Sequence, residues 1–357
     1  MAFTAKDVQA LREKTGCGMM DCKKALTETN GDMEAAVDVL KKSGAAKMEK
    51  KASRIAAEGI ARVAASDTVA VVVEVNSETD FVAKNETFQE FVQVVADNAL
   101  ASGLEGGANG EDIEAVLDMN GLKELLVEKT ATIGEKLSVR RFAKVTGDCV
   151  ASYLHAGGKI GVLVAGTGAS DVKEALTNVA MQIAAMNPQY ISRAEISADE
   201  LAKIREITVD SALNDPASLP KPIQNELYTK VETEKLFSEE DLAILAEKKN
   251  DKYLYNFLSK EAIAKLAELA LAGKAAYVEN KIFAGLVEGR ISKQLKEICL
   301  LDQTYVKAED GKQTVAAYLA SVNKDLAIAK FVRFEVGEGM EKKVDDFAAE
   351  VAAQAGM

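Results

Sequence analysis

The chain has 357 residues, 48% hydrophobic and 28% charged, enough to bury real cores in two or three domains. With 56 acidic against 44 basic residues, a net charge of −12, no Trp and 5% aromatics, it lacks the cationic, stacking surface that direct nucleic-acid binding uses. No apolar run approaches the roughly 20 residues of a membrane span, no signal-peptide pattern opens the chain, and four scattered cysteines (Cys17, Cys22, Cys149, Cys299) read as reduced thiols of a cytoplasmic protein.

In chain order, residues 1–52 predict a three-helix unit. Thr4 caps a first helix with Val8 and Leu11 inward, and Thr15-Gly-Cys-Gly18 breaks it. A second helix runs from Met19 to the Asn30-Gly31 turn. Asp32 caps a third, with Ala36, Val37 and Leu40 on one face, and Gly44 is expected to stop it. Helices arranged around a Gly-Met turn resemble the ubiquitin-associated type of domain, which binds proteins. The basic stretch Lys47, Lys50, Lys51, Arg54 reads as a solvated linker or a docking stripe.

From residue 53 the pattern changes to strands and helices. Thr68–Val75 is an apolar strand. It leads through Glu78-Thr-Asp-Phe-Val-Ala83 into a helix whose Phe88, Phe91, Val92, Val95, Ala96 and Ala99 share one face. Val150–His155 and Lys159–Val164 form a hairpin across Ala156-Gly-Gly158, followed by a helix with Leu176, Val179, Ala180, Ile183 and Ala184 inward. Two units of similar plan suggest a duplication, so the fold class is α+β. The domain expectation is 53–146 for the first α+β subdomain and 147–198 plus 306–344 for the second. Between the parts of the second lies a helical, coiled-coil-like insertion, 199–305, more bundle than heptad. The strand Lys330–Val336 rejoins the second subdomain, and residues 345–357 carry a last helix, Asp345–Ala355.

The tools of catalysis are sparse. His155 is the only histidine, so a Cys/His zinc cluster is not expected. Gly157-Gly-Lys-Ile-Gly161 and Gly166-Thr-Gly168 are incomplete as phosphate or dinucleotide loops and read as turns. Composition therefore points to a protein-binding protein with no cofactor and no metal of its own. A helical-domain adaptor is one form of this. A nucleotide-using enzyme is a weaker alternative.

Leu11-Arg-Glu-Lys-Thr-Gly-Cys-Gly-Met-Met-Asp-Cys-Lys-Lys-Ala-Leu26 resembles the N-terminal motif of the bacterial elongation factor Ts family. Glu78–Ala83 resembles its second signature and Phe331-Val-Arg-Phe-Glu-Val-Gly-Glu-Gly339 its C-terminal core strand, in family order. The insertion is longer than in compact family members. The resemblance implies a guanine nucleotide exchange factor of translation elongation that binds elongation factor Tu, GDP-bound or nucleotide-free, with a homodimer or a two-plus-two complex as the candidate assemblies. It implies that Thr79, Asp80, Phe81 and Val82 intrude beside the partner's Mg²⁺, and that Arg12, Met19, Met20, Lys23 and His155 touch the partner. From the residues alone Phe81 reads as core and Asp80 as a cap, and Met19 and Met20 as contact or core.

Overall fold

Thr4 and Asp7 begin the fold by capping each other: the Asp7 N–H donates to the Thr4 hydroxyl, and the Asp7 carboxylate accepts the Thr4 N–H. Those bonds from Thr4 hold the Asp7 carboxyl below its ordinary value. The computed structural model describes residues 3–341, so the expected helix Asp345–Ala355 lies outside the described residues. Three helices follow the cap: α1 (Ala5–Thr15), α2 (Met19–Glu28) and α3 (Met33–Lys51). They close on Val8, Leu11, Cys22, Ala25, Leu26, Ala36 and Leu40.

Gly44 does not stop α3, which continues to Lys51. The glycine faces a neighbour instead: a Cβ there would sit 3.2 Å from Val127 Cγ1. Its missing side chain lets α3 lie close to a later helix, so the residue serves packing rather than termination. The basic stretch is accordingly helical as far as Lys51.

Next come β1 (Glu58–Ala65), β2 (Val69–Ser77), α4 (Asp80–Ala83), α5 (Glu86–Ala101), β3 (Gly106–Gly107), α6 (Ile113–Leu117), α7 (Leu122–Ile133) and β4 (Ser138–Thr146). The four strands form an antiparallel sheet in the order β1-β2-β4-β3. A second antiparallel sheet has the order β5-β6-β7, from β5 (Cys149–His155), β6 (Ile160–Thr167) and the distant β7 (Ala327–Glu335). Helix α8 (Lys173–Met186) packs on β5 and β6.

The two sheets face each other. Ala70, Val72 and Val145 of the first meet Val150, Leu163 and Phe334 of the second. On its other side the first sheet sends Val71, Val73, Val75 and Phe142 against Phe88, Phe91, Val92 and Val95 of α5. The layers run helix, sheet, sheet, helix, and β2 is covered on both faces. That explains why its sequence is an almost unbroken apolar run rather than an alternation.

One charge interrupts that run. Glu74 is fully buried and lies directly across from Arg141 in the β2–β4 register. Its carboxylate accepts Arg141 Nε at 2.6 Å, Arg140 Nη1 at 2.9 Å, Asn76 Nδ2 at 3.1 Å and the Gly337 N–H at 2.9 Å. The Arg141 guanidinium rests 4.2 Å from the centre of the Phe334 ring and donates to the Glu335 carbonyl. Both oxygens of the buried acid are thereby hydrogen-bonded, Oε2 by Arg141 and Oε1 by the other three, as burial of a charge requires.

The second unit, Pro188–Thr304, is helical: α9 (Ala198–Leu213), α10 (Lys221–Glu234), α11 (Glu239–Lys248), α12 (Lys260–Ala272), α13 (Lys274–Val278) and α14 (Lys281–Ile298). It has its own core around Leu213, Ile223, Tyr228, Leu245, Leu266 and Phe283, which makes it a bundle and not an extended coiled coil. The Tyr228 hydroxyl donates to that of Tyr255 at 2.9 Å, and burial raises both phenols above their ordinary values. The chain then returns to the first unit through α15 (Val315–Val322) and β7. No helix among the described residues is long and apolar enough to cross a membrane.

Candidate partner-facing site

Three phenylalanines within eleven residues meet opposite fates. Phe88 and Phe91 are buried on α5, while Phe81 is 78% exposed. The expected loop there is one turn of helix, α4. A single turn has little stability of its own, so its shape comes from its anchors. Val82 and Ala83 are those anchors, 8% and 7% exposed and packed in the core beneath the first sheet. With two successive residues turned inward, the helical geometry turns Phe81 outward.

The structure therefore separates the four residues of the signature. Val82 is part of the core, where its side chain completes the apolar surface under β2. Asp80 is half-exposed and bonds to Lys84 Nζ at 2.9 Å. The hydrogen bond from Lys84 is the main reason its carboxyl lies below the ordinary aspartate value, and the charge of Lys159 acts in the same sense. The Lys84 ammonium also lies 5.8 Å from the centre of the Phe81 ring. Thr79 stands at the N-cap position, with its own hydroxyl turned away to Glu135.

His155 ends β5 and is exposed, its Nδ1 3.2 Å from the Tyr153 hydroxyl. The turn after it, Ala156-Gly157-Gly158, has three successive positive φ angles, 48°, 68° and 96°. Gly158 is required there: a Cβ would lie 2.8 Å from the Ala61 carbonyl oxygen. That close approach seats the turn on β1, and Lys159 pairs with Glu58 at the start of the same strand. Lys159 thus links the two features, since its charge also reaches Asp80.

On the N-terminal helices Met19 is 47% and Met20 74% exposed, so neither belongs to the core, and of the two readings left open by the sequence the buried one is removed. Arg12 and Lys23 are exposed, and neither has an ion-pair partner among the described residues. Lys47, from the basic stretch, pairs with Asp21 at 2.8 Å and so ties α3 to α2. The Cys22 thiol is buried, which raises it above the ordinary cysteine value. No cluster of three or more potential metal ligands occurs among the described residues.

Two functional features escaped sequence reasoning. Strand β4 did so because Arg140, Arg141 and Lys144 disguise its alternation; Lys144 reaches out to the Gly103 carbonyl at 2.8 Å. An acid inside Val-Val-Val-Glu-Val was the available signal, since a buried Glu74 demands a cationic neighbour strand. Glu135 carries no local signal at all.

Comparison with known proteins adds an independent observation. The family model described as Elongation factor TS matches residues 78–338. The chain is also 43% identical over 365 residues to a protein named Elongation factor Ts from Clostridioides difficile (strain 630), a match spanning 99% of this chain and 98% of that protein.

Proposed function

The chain belongs to the elongation factor Ts family, and on that premise we propose that it is a guanine nucleotide exchange factor acting on elongation factor Tu in the cytoplasm. The observation that carries the proposal is Phe81: a large apolar side chain, 78% exposed, on a turn whose next two residues are locked into the core. Such a ring is poised to enter a partner rather than to fold back.

GDP in a GTPase is held by backbone N–H groups, a lysine and Mg²⁺. Phe81 enters beside the partner's metal site and displaces the elements that carry the metal's ligands, because packed interiors move between discrete arrangements. Thr79 and Asp80 frame the ring, and Val82 serves as its anchor. His155, on the hairpin turn near Lys159, presses on the partner's helices. Arg12, Met19, Met20 and Lys23 grip its nucleotide-binding domain; flexible methionine side chains and unpaired cations suit such a grip. Burying one Phe ring is worth about 1.5–3 kcal/mol, and each 1.4 kcal/mol off the barrier is about a tenfold gain in release rate. The step forms and breaks no covalent bond. By linkage, whatever weakens GDP binding is itself weakened by GDP.

The test is release of labelled GDP from elongation factor Tu, with and without the chain, for wild type and Phe81→Ala. Acceleration by wild type and a clear loss in the variant is the expected result. No acceleration by wild type would leave the adaptor reading, and wild-type rates in the variant would remove the wedge.

A further inference from the structure

The turn that presents Phe81 is fastened by a residue more than fifty positions later in the chain. The Thr79 N–H donates to Glu135 Oε2 at 2.9 Å, and the Thr79 hydroxyl donates to Glu135 Oε1 at 2.6 Å. Glu135 directly follows Gly134, which ends α7 in the left-handed conformation, so a packed helix delivers the carboxylate. The next residue returns the grip. The Lys136 N–H donates to Glu78 Oε1 at 2.5 Å, and the Arg54 guanidinium meets the same carboxylate at 3.2 Å. The Lys136 ammonium donates to the carbonyls of Ala52 and Arg54, at 2.6 and 2.9 Å.

Each segment thus lends a carboxylate to the other's backbone, in a reciprocal clamp between residues 78–79 and 135–136. The turn is held at two ends: Val82 and Ala83 fix its far end by burial, and Glu135 fixes its near end by two charge-assisted bonds. Without Glu135 the near end is free, and the cost of ordering it falls on the step in which Phe81 enters the partner.

We propose that Glu135 is a positioning residue for Phe81, acting through Thr79 to hold the ring in its entering orientation. This rests on the exchange-factor reading above. The surfaces of Arg12, Met19, Met20 and Lys23 do not pass through the clamp, so removing it changes the maximal rate of exchange more than the affinity.

The experiment uses the full chain and measures GDP release from elongation factor Tu across chain concentrations. The variants are Glu135→Ala, Glu135→Gln, Phe81→Ala and the double variant Glu135→Ala/Phe81→Ala, each checked by thermal unfolding. Glu135→Ala is expected to lower the maximal rate about tenfold while the half-saturating concentration stays within about twofold, as for two lost charge-assisted bonds. Glu135→Gln, with one acceptor oxygen left, falls between. In the Phe81→Ala background the same change should cost nothing more, because residues acting through one another are not additive.

A wild-type maximal rate in Glu135→Ala, or a full further loss in the double variant, overturns the proposal. If the alanine variant does not fold, the same cycle run with Glu135→Gln decides it by the same criteria. If wild type does not accelerate release, the exchange reading fails; if Phe81→Ala itself exchanges at the wild-type rate, the wedge fails and this inference with it. If Phe81→Ala is slow and the Glu135 variants are not, only the inference fails.

Discussion

The Phe81 turn and the Gly158 turn lie within reach of one lysine, yet they are held by different means. The first depends on side chains: Val82 and Ala83 buried below, Glu135 bonded to Thr79 above. The second depends on backbone: a glycine pressed against the Ala61 carbonyl, with the angles that only such a residue takes easily. A side-chain clamp can be loosened by degrees, whereas a backbone seat has room for no added carbon. The contrast gives the two turns different characters, one presenting the exposed Phe81 ring on side-chain anchors, the other a backbone shoulder carrying His155.

The comparison can be broken most severely from beneath. Glu74 lies in the strand that leads to the Phe81 turn, and Glu74→Ala leaves Arg141 buried without its acid, which should cost about 3–5 kcal/mol in a denaturant titration. A loss under 1 kcal/mol would mean that the pair contributes nothing to the sheet. Phe81→Ala should slow GDP release by about ten- to hundredfold, on the scale of one buried ring. Its unfolding midpoint should stay unchanged, because the ring makes no core contact; a lowered midpoint would put the effect in the fold and not the wedge.

Gly158→Ala probes the seat. A Cβ 2.8 Å from a carbonyl oxygen, at a φ of 96°, should destabilise by about 1–3 kcal/mol and shift the hairpin. Its exchange defect should then resemble that of His155→Ala rather than that of Phe81→Ala. His155→Ala is the mildest: the side chain is exposed, and its loss should change the release barrier by less than about 1 kcal/mol. If His155→Ala proved slower than Phe81→Ala, the two turns would have to exchange roles.

Much of this was legible in advance where hydrophobic period alone decides. The faces of α5 and α8, the strand β2 and the hairpin β5–β6 follow directly from where apolar residues recur. Gly44 misled because a glycine reads alike as a helix stop and as a close-packing site, and only Val127 across the way distinguishes them. Phe81 pulled two ways: composition placed it inside, the family motif outside, and the burial of Val82 and Ala83 turns it out. Glu135 was invisible because its meaning lies in a partner distant in the chain, and periodicity carries no information about such pairs.

The buried carboxylate of Glu74 has a further consequence for how the molecule is made. Its acceptor sites are filled in part by Gly337, and its partner Arg141 leans on Phe334 and Glu335. A chain emerging from the ribosome can therefore pair the acid of its central strand with Asn76, Arg140 and Arg141 first, and gains the fourth donor only when Gly337 has appeared. The middle unit, Pro188–Thr304, has a core built from its own residues and can close while the rest waits. Synthesis runs in one direction, but the last hydrogen bond to the buried acid of the first sheet comes from the segment that follows β7.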